Sequence, residues 1–167
     1  DMETEESNEL SIVAVPPREN PSDTLLINLT SVDKSQEFNI IKKGVIGTSS
    51  ARRKNQLLLF REDLIIKDLR GNIPTRIQKL RNGNYDAIII AKAGINRLNI
   101  DISDFYVKEL SPMMFIPAPG QGALGIQIKN SNHKLKQILN KLSHKETLNN
   151  VIFERKILNG IGLSLIH

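Results

Sequence analysis

Short apolar runs separated by amphipathic stretches set the rhythm of this chain, and from Gly44 onward the alternation is regular. Residues 45–48 (VIGT) read as a strand and 50–61 as a helix. Residues 64–69 (LIIKDL) form a second strand, followed by a helix over 72–80 with Asn72 as its cap and Pro74 in its first turn. The run Arg81-Asn82-Gly83-Asn84 provides a glycine stop. Residues 85–91 (YDAIIIA) are a buried strand, and 94–98 open another helix. These strands are apolar without alternation, as in a parallel sheet covered on both faces. The fold class that follows is α/β, with a doubly wound, mostly parallel sheet.

The flanks are less regular. Residues 1–9 are acidic and polar, 10–15 form a strand ended by Pro16-Pro17, and Arg18-Glu19-Asn20-Pro21-Ser22-Asp23 is turn chemistry suited to a linker or hinge. A strand is expected over 24–29 and about one helical turn in the polar stretch 30–38. Residues 112–125 are irregular and rich in Pro and Gly, which suggests a second crossing between domains. Beyond them come a strand over 123–128, an amphipathic helix over 132–142 and a further helix over 147–158, then a strand-like stub at 161–167.

Composition narrows the classes. With 40% hydrophobic and 25% charged residues, the 167-residue chain fits a globular protein of one full domain, or one domain plus pieces of others. The net charge of +5 admits nucleic acid, acidic membrane surfaces or small polyanions as partners. Aromatics make up only 4%, Trp is absent, and Phe and Tyr are not interleaved with basic residues, so no nucleic-acid partner is expected. The chain has no Cys, which excludes disulfide and thiolate chemistry within it, and His133, His144 and His167 have no zinc spacing, so no metal is expected. No apolar run is long enough to span a bilayer and no signal peptide opens the chain, so no membrane partner is expected either.

The most informative segment is Gly47-Thr48-Ser49-Ser50-Ala51-Arg52-Arg53. It sits at a strand-to-helix turn, where unpaired backbone N–H groups and the helix dipole favour an anion. Two arginines on that first turn oppose the dipole, which a polyanionic ligand would explain. Two more strand ends repeat the chemistry: Arg70-Gly71-Asn72 with Arg76, and Lys92-Ala93-Gly94 with Arg97. Arg18 lies in the hinge-like segment. Ligands of doubly wound sheets sit beyond the carboxyl ends of the strands, and arginine suits bidentate pairing with carboxylates or phosphates. Neither G-x-G-x-x-G nor a Walker lysine occurs, which disfavours a nucleotide.

Together, GTSSARR (47–53), LRGNIPTRIQKL (69–80), YDAIIIAKAGINRL (85–98) and PGQGALGI (119–126) resemble the porphobilinogen deaminase (hydroxymethylbilane synthase) family, a resemblance running from Asp1 to about Arg155. That family of transferases, in tetrapyrrole and haem biosynthesis, condenses four porphobilinogen molecules head to tail with release of ammonia. It does so on a dipyrromethane cofactor held as a thioether on a cysteine. The resemblance implies domains like those of two-lobed periplasmic binding proteins. It implies that Arg18, Arg52, Arg53, Arg70, Arg76 and Arg97 pair with pyrrole carboxylates, with Thr48, Ser50, Gly94 and Gln121 as lesser cofactor contacts. It also places the family's catalytic aspartate on Asp1, which would protonate the leaving amine and stabilise the cationic intermediate.

Three departures accompany the resemblance. The lysine preceding the aspartate is absent, Glu3 stands where the family has proline, and residues 159–165 (NGIGLSL) lack the cofactor cysteine, so no covalent attachment is expected in this chain. Ser164 would be a poor substitute, a hydroxyl being a far weaker nucleophile than a thiol. The expected organisation is a remnant of domain 1 with a hinge over 1–21, a complete α/β domain 2 over 22–114, a returning segment of domain 1 over 115–138, and the start of domain 3 over 139–167. The implied partner is a small pyrrole, for a usually monomeric family, in the cytoplasm or a plastid. The 167 residues alone are expected to be inactive. Two rival classes stay open: a non-catalytic polycarboxylate-binding module or decayed paralogue, and an interaction protein using its basic face.

Overall fold

The computed structural model describes residues 9–160. Along them run β1 (Leu10–Ala14), β2 (Asp23–Asn28), β3 (Val45–Gly47), α1 (Ala51–Phe60), β4 (Ile65–Lys67), α2 (Ile73–Arg81), β5 (Ala87–Ala91), α3 (Lys92–Leu98), β6 (Phe105–Glu109), β7 (Ile126–Lys129), α4 (His133–Leu139) and α5 (Lys145–Gly160). The stretch expected to form one helical turn near residue 30 holds two short 3-10 turns, Leu29–Ser31 and Glu37–Asn39. The chain divides into two compact units: Ser22–Pro117, and the segments on either side of it.

The Ser22–Pro117 unit is built on a five-stranded sheet in the order β4-β3-β5-β2-β6. Its core follows from the period of a strand, in which successive side chains point to opposite faces. Leu25 and Ile27 of β2 join Ala87 and Ile89 of β5, Leu57 of α1 and Phe115 on one side. Leu26 joins Ile88 and Ile90 with Ile77 and Leu80 of α2 and Ile95 of α3 on the other. Both faces of β2 and β5 are therefore covered, which is why these strands read as unbroken apolar runs.

The helices begin where the sequence places their caps. Ser50 Oγ accepts a hydrogen bond from the Arg53 amide at 3.4 Å, and Asn72 Oδ1 accepts one from the Thr75 amide at 2.9 Å, with Pro74 in the first turn of α2. Each cap satisfies a donor that the helix itself leaves unpaired.

Two features depart from the expected pattern. β3 runs parallel to β4 and β5, but β2 is antiparallel to both β5 and β6. Four strands thus share one direction and β2 opposes them. β6 was not foreseen: its buried, half-buried and exposed positions alternate, and Lys108 and Glu109 interrupt its apolar character, as befits an edge strand. The reversal of β2 matters for the site. Its first residue, Asp23, stands opposite Ala91, the last residue of β5, so β2 delivers its beginning to the end of the sheet where β3, β4 and β5 finish.

In the other unit, β1 and β7 form a two-stranded antiparallel sheet with Leu10 opposite Lys129 and Ile12 opposite Gln127. β7 starts three residues later than the sequence pattern suggests, because 118–125 is consumed by turns: the Gln121 amide bonds to the Ala118 carbonyl and the Ala123 amide to the Gly120 carbonyl. Asn132 caps α4 by accepting from the Leu135 amide at 3.1 Å. The Val15 carbonyl accepts from the His144 amide at 2.8 Å, tying the end of β1 to the start of α5.

Candidate anion-binding site

The arginine pair of the first regular helix faces a protein carboxylate. Arg52 Nη2 lies 2.7 Å from Asp23 Oδ2, while Arg53 places Nη2 at 2.7 Å and Nε at 3.1 Å from Asp23 Oδ1. Asp23 is completely buried, and the two arginine side chains retain 24% and 11% of their exposure. Arg53 reaches over β5, with Nη1 at 3.4 Å from the Ile89 carbonyl, to meet the start of β2. Arg52 is held from a second side by the Ile116 carbonyl, 2.5 Å from Nη1, and its guanidinium lies 6.0 Å from the Phe115 ring centre.

This arrangement answers the question the sequence raised. Two arginines at a helix N-terminus oppose the dipole, and the fold supplies a buried anion that compensates them. Asp23 had been assigned to turn chemistry in the linker, whereas it opens β2. One carboxylate against two guanidinium groups leaves the trio formally positive. A third arginine adds to that excess. Arg76, in the first half of α2, donates from Nε to the Gly71 carbonyl at 2.7 Å, and no carboxylate among the described residues is paired with it. Burial holds its pKa below the ordinary arginine value, and the like charge of Arg53 pushes the same way. Burial likewise lowers the pKa of Arg52, against the opposing pull of Asp23. Guanidinium remains protonated despite such shifts. Asp23, Arg52, Arg53 and Arg76 taken together carry a net positive charge in a partly desolvated place, where an added anion is favoured.

The loops around them are tied together. Ser49 Oγ accepts from the Leu69 amide at 3.0 Å and donates to the Leu69 carbonyl at 3.2 Å, fastening the turn after β3 to the loop after β4. Thr48 is buried, and its Oγ1 accepts from the Ser50 amide at 3.2 Å. Lys92 Nζ lies 3.6 Å from Glu109 Oε2, neutralising it in part. Arg70 is exposed, its carbonyl accepting from Lys79 Nζ at 3.0 Å, and Arg97 is exposed in the last turn of α3. Asp23 therefore joins Arg52 and Arg53 at the sheet end and Arg76 lies within electrostatic range of Arg53, while Arg70 flanks the loop and Arg97 stands a turn and a half along α3. Gly94 lies where α3 approaches α2: an added Cβ would collide with the Ile73 side chain, which gives this glycine a packing reason of its own.

Arg18 and Gln121 belong to the other unit. Arg18 forms a two-pronged pair with Glu154, Nη1–Oε1 at 2.5 Å and Nη2–Oε2 at 3.1 Å, and its Nε donates to the Gln121 carbonyl at 2.9 Å. Glu154 Oε2 also accepts from the Gly120 amide at 2.7 Å. The Gln121 side chain donates to the Pro21 carbonyl at 2.6 Å. Gly122 turns the chain there with φ +82°, and a side chain on it would strike the Glu19 carbonyl. Sequence reasoning missed Glu154 as well as Asp23. Asp1 and the cysteine-free segment from 161 onward lie outside the described residues.

Among the described residues there is no group of three or more His, Cys, Asp or Glu side chains that could hold a metal ion. No helix among them is long and apolar enough to cross a membrane.

Comparison with known proteins accounts for the pattern. Residues 1–137 match the family model described as porphobilinogen deaminase, dipyromethane cofactor binding domain. The chain is 42% identical over 162 residues to a probable porphobilinogen deaminase of Sulfurisphaera tokodaii, covering 97% of this chain and 52% of that protein. It is 38% identical, with the same coverage, to the porphobilinogen deaminase of Thermus thermophilus. A solved periplasmic binding protein from Brucella ovis, crystallised with glutathione bound, superposes with a TM-score of 0.52 at 12% identity, covering 93% of this chain and 45% of that one, a likeness of fold alone. The chain spans about half the length of the curated relatives it matches. With the family model extending over most of its residues, and the arginines carried on the matched strands and helices, the chain belongs to the porphobilinogen deaminase family.

Proposed function

We propose that this chain is the carboxylate-gripping part of a porphobilinogen deaminase, which joins four porphobilinogen molecules into hydroxymethylbilane with loss of ammonia. The observation that carries the reading is the cationic excess at the carboxyl end of the sheet: Arg52 and Arg53 share one buried carboxylate, and Arg76 stands beside them. Every pyrrole unit of substrate and product brings acetate and propionate groups. A ligand with several carboxylates in fixed relative positions suits several guanidinium groups fixed by the fold.

The family's cofactor is a dipyrromethane with several carboxylates. Its carboxylates fit Arg52, Arg53 and Arg76, which are charged, partly desolvated and held in place, with Arg70 and Arg97 exposed nearby on the same sheet end and its following helix. Its thioether has no anchor, because the 167 residues contain no cysteine. When bound, the group supplies the primer on which pyrroles are added. This chain's own contribution is to bind and orient acidic side chains. Thr48, Ser50, Gly94 and Gln121 are proposed as secondary contacts, and Arg18 as a further cation of the other unit. Asp1 is proposed as the general acid toward the leaving amine.

We also propose the domain division stated from the sequence, with residues 22–114 as the complete central domain and 139–167 as the beginning of a third. The passages over 18–23 and 115–120 would be the two hinge crossings. A monomer working on a small pyrrole in the cytosol or a plastid goes with this reading. The absence of cysteine from 159–165 favours one rival, a module that binds polycarboxylates without chemistry.

One experiment separates the two: the intact mass of the protein isolated from its own cell, followed by assay of that material for conversion of porphobilinogen to hydroxymethylbilane. A dipyrromethane adduct with turnover supports the deaminase. A mass of 18.8 kDa without adduct or turnover, but with retained affinity for acidic pyrroles, supports the module.

A further inference from the structure

Asp23 is the most deeply buried carboxylate in contact with the candidate site, and no step of the proposed chemistry uses it. It is fully buried at the start of β2 and accepts from Arg52 through Oδ2 and from Arg53 through Oδ1. We infer that Asp23 is a positioning residue, which fixes the two guanidinium planes of Arg52 and Arg53 for carboxylates of the ligand; the inference rests on the carboxylate-binding reading of this sheet end.

Simple charge counting gives Asp23 the wrong sign. A negative group beneath an anion site repels the anion, so its removal should strengthen binding. Geometry gives the opposite expectation. Arginine's long side chain carries rotamer entropy that binding must overcome unless it is already lost in the free protein. Arg53 is held by both Nε and Nη2 on Oδ1, with Nη1 turned to the Ile89 carbonyl. Arg52 is held between Oδ2 and the Ile116 carbonyl. The pair of oxygens on one carboxylate thereby sets the spacing between two cations that follow each other on a helix. Consecutive helical residues point about 100° apart and do not converge by themselves. Asp23 makes them converge, and only the antiparallel course of β2 allows it, by bringing the first residue of that strand to the sheet end where the ligand is expected.

The test titrates a dipyrromethane bearing free acetate and propionate groups into the wild-type protein and into Asp23→Asn and Asp23→Glu, by calorimetry at fixed salt. Positioning predicts that Asp23→Asn binds roughly tenfold or more weakly although it gains a unit of positive charge. Asp23→Glu, with charge kept and the oxygens moved, is also expected to bind more weakly. Equal or tighter binding by a folded Asp23→Asn overturns the inference. The second measurement needs no variant. In the ligand-free wild-type protein, the Arg53 Nε–H resonance is expected to be dispersed and protected from solvent exchange. A rapidly exchanging, mobile Arg53 side chain overturns positioning even if Asp23→Asn fails to fold. Failure of the wild-type protein to bind the acidic dipyrromethane would instead sink the functional reading, and the exchange measurement would still decide whether Asp23 fixes the arginines.

Discussion

The two ends of the central sheet use arginine in opposite ways. At the end where β2 opens and β3, β4 and β5 finish, Arg52 and Arg53 share the Asp23 carboxylate, no carboxylate among the described residues pairs with Arg76, and burial lowers the pKa of Arg52 and Arg76. At the other end each arginine has its own acid. Arg61, at the close of α1, meets Asp63 through Nε at 2.6 Å and donates to the carbonyls of Glu37 and Ile40 at 2.9 and 3.2 Å. Arg81, at the close of α2, pairs with Asp104 at 2.8 Å. The hydrogen bonds these arginines donate to the two carboxylates raise the pKa of both arginines. Cations at helix C-termini are also favoured by the dipole, whereas those at the start of α1 are not. A cation that serves the fold is paired where it stands. On the carboxylate-binding reading proposed above, one that meets a ligand is held in place beside further cations.

The sharpest way to break this contrast is Arg61→Ala. It removes a nearly buried side chain on which three carbonyls and Asp63 depend, so a loss of about 3 kcal/mol is expected in urea unfolding, with ligand affinity unchanged in the folded fraction. Arg76→Gln should do the reverse. Affinity for an acidic dipyrromethane falls about tenfold, close to 1.4 kcal/mol, while the unfolding midpoint stays put or rises as repulsion from Arg53 is relieved. A loss of stability without a loss of affinity would place Arg76 with the structural arginines.

Acid titration probes the structural end. Hydrogen bonds from Arg61 and Arg81 hold the Asp63 and Asp104 carboxyls below the usual 3.8. The folded state therefore binds fewer protons than the unfolded one in acid. The stabilisation is complete above the unfolded value and is lost as pH falls through the folded one. Urea midpoints should be level from about pH 7 to 5 and decline below about pH 4, and a decline already evident near neutrality would refute the assignment. The smallest effect is expected from Arg81→Ala, whose pair is well exposed. It should lower the urea midpoint less than Arg61→Ala does, and ligand affinity should not change.

The same contrast explains what could be seen in the sequence. Caps at Ser50 and Asn72, the proline of α2 and the unbroken apolar strands are local signals, and the structure has them where the pattern puts them. The arginines at successive strand ends were legible because arginine opposing a helix dipole lacks a local reason. Asp23 was not, because its partners are 29 and 30 residues away and a lone aspartate before an apolar run also fits a turn. The direction of β2 was hidden for a related cause: strand polarity is set by long-range pairing, and no helix precedes β2 to suggest a crossover. Arg18 and Glu154, 136 residues apart, are a further long-range pair that spacing cannot reveal.

The central claim is that the carboxyl end of the sheet recognises carboxylates through arginines left short of acid. Calorimetric titration with an acidic dipyrromethane and, in parallel, with its methyl ester tests it most directly. The account predicts saturable binding of the acid, weakened by salt and by Arg76→Gln, and no measurable binding of the ester. Equal binding of acid and ester, or loss of acid binding in Arg81→Ala to the same degree as in Arg76→Gln, would contradict it.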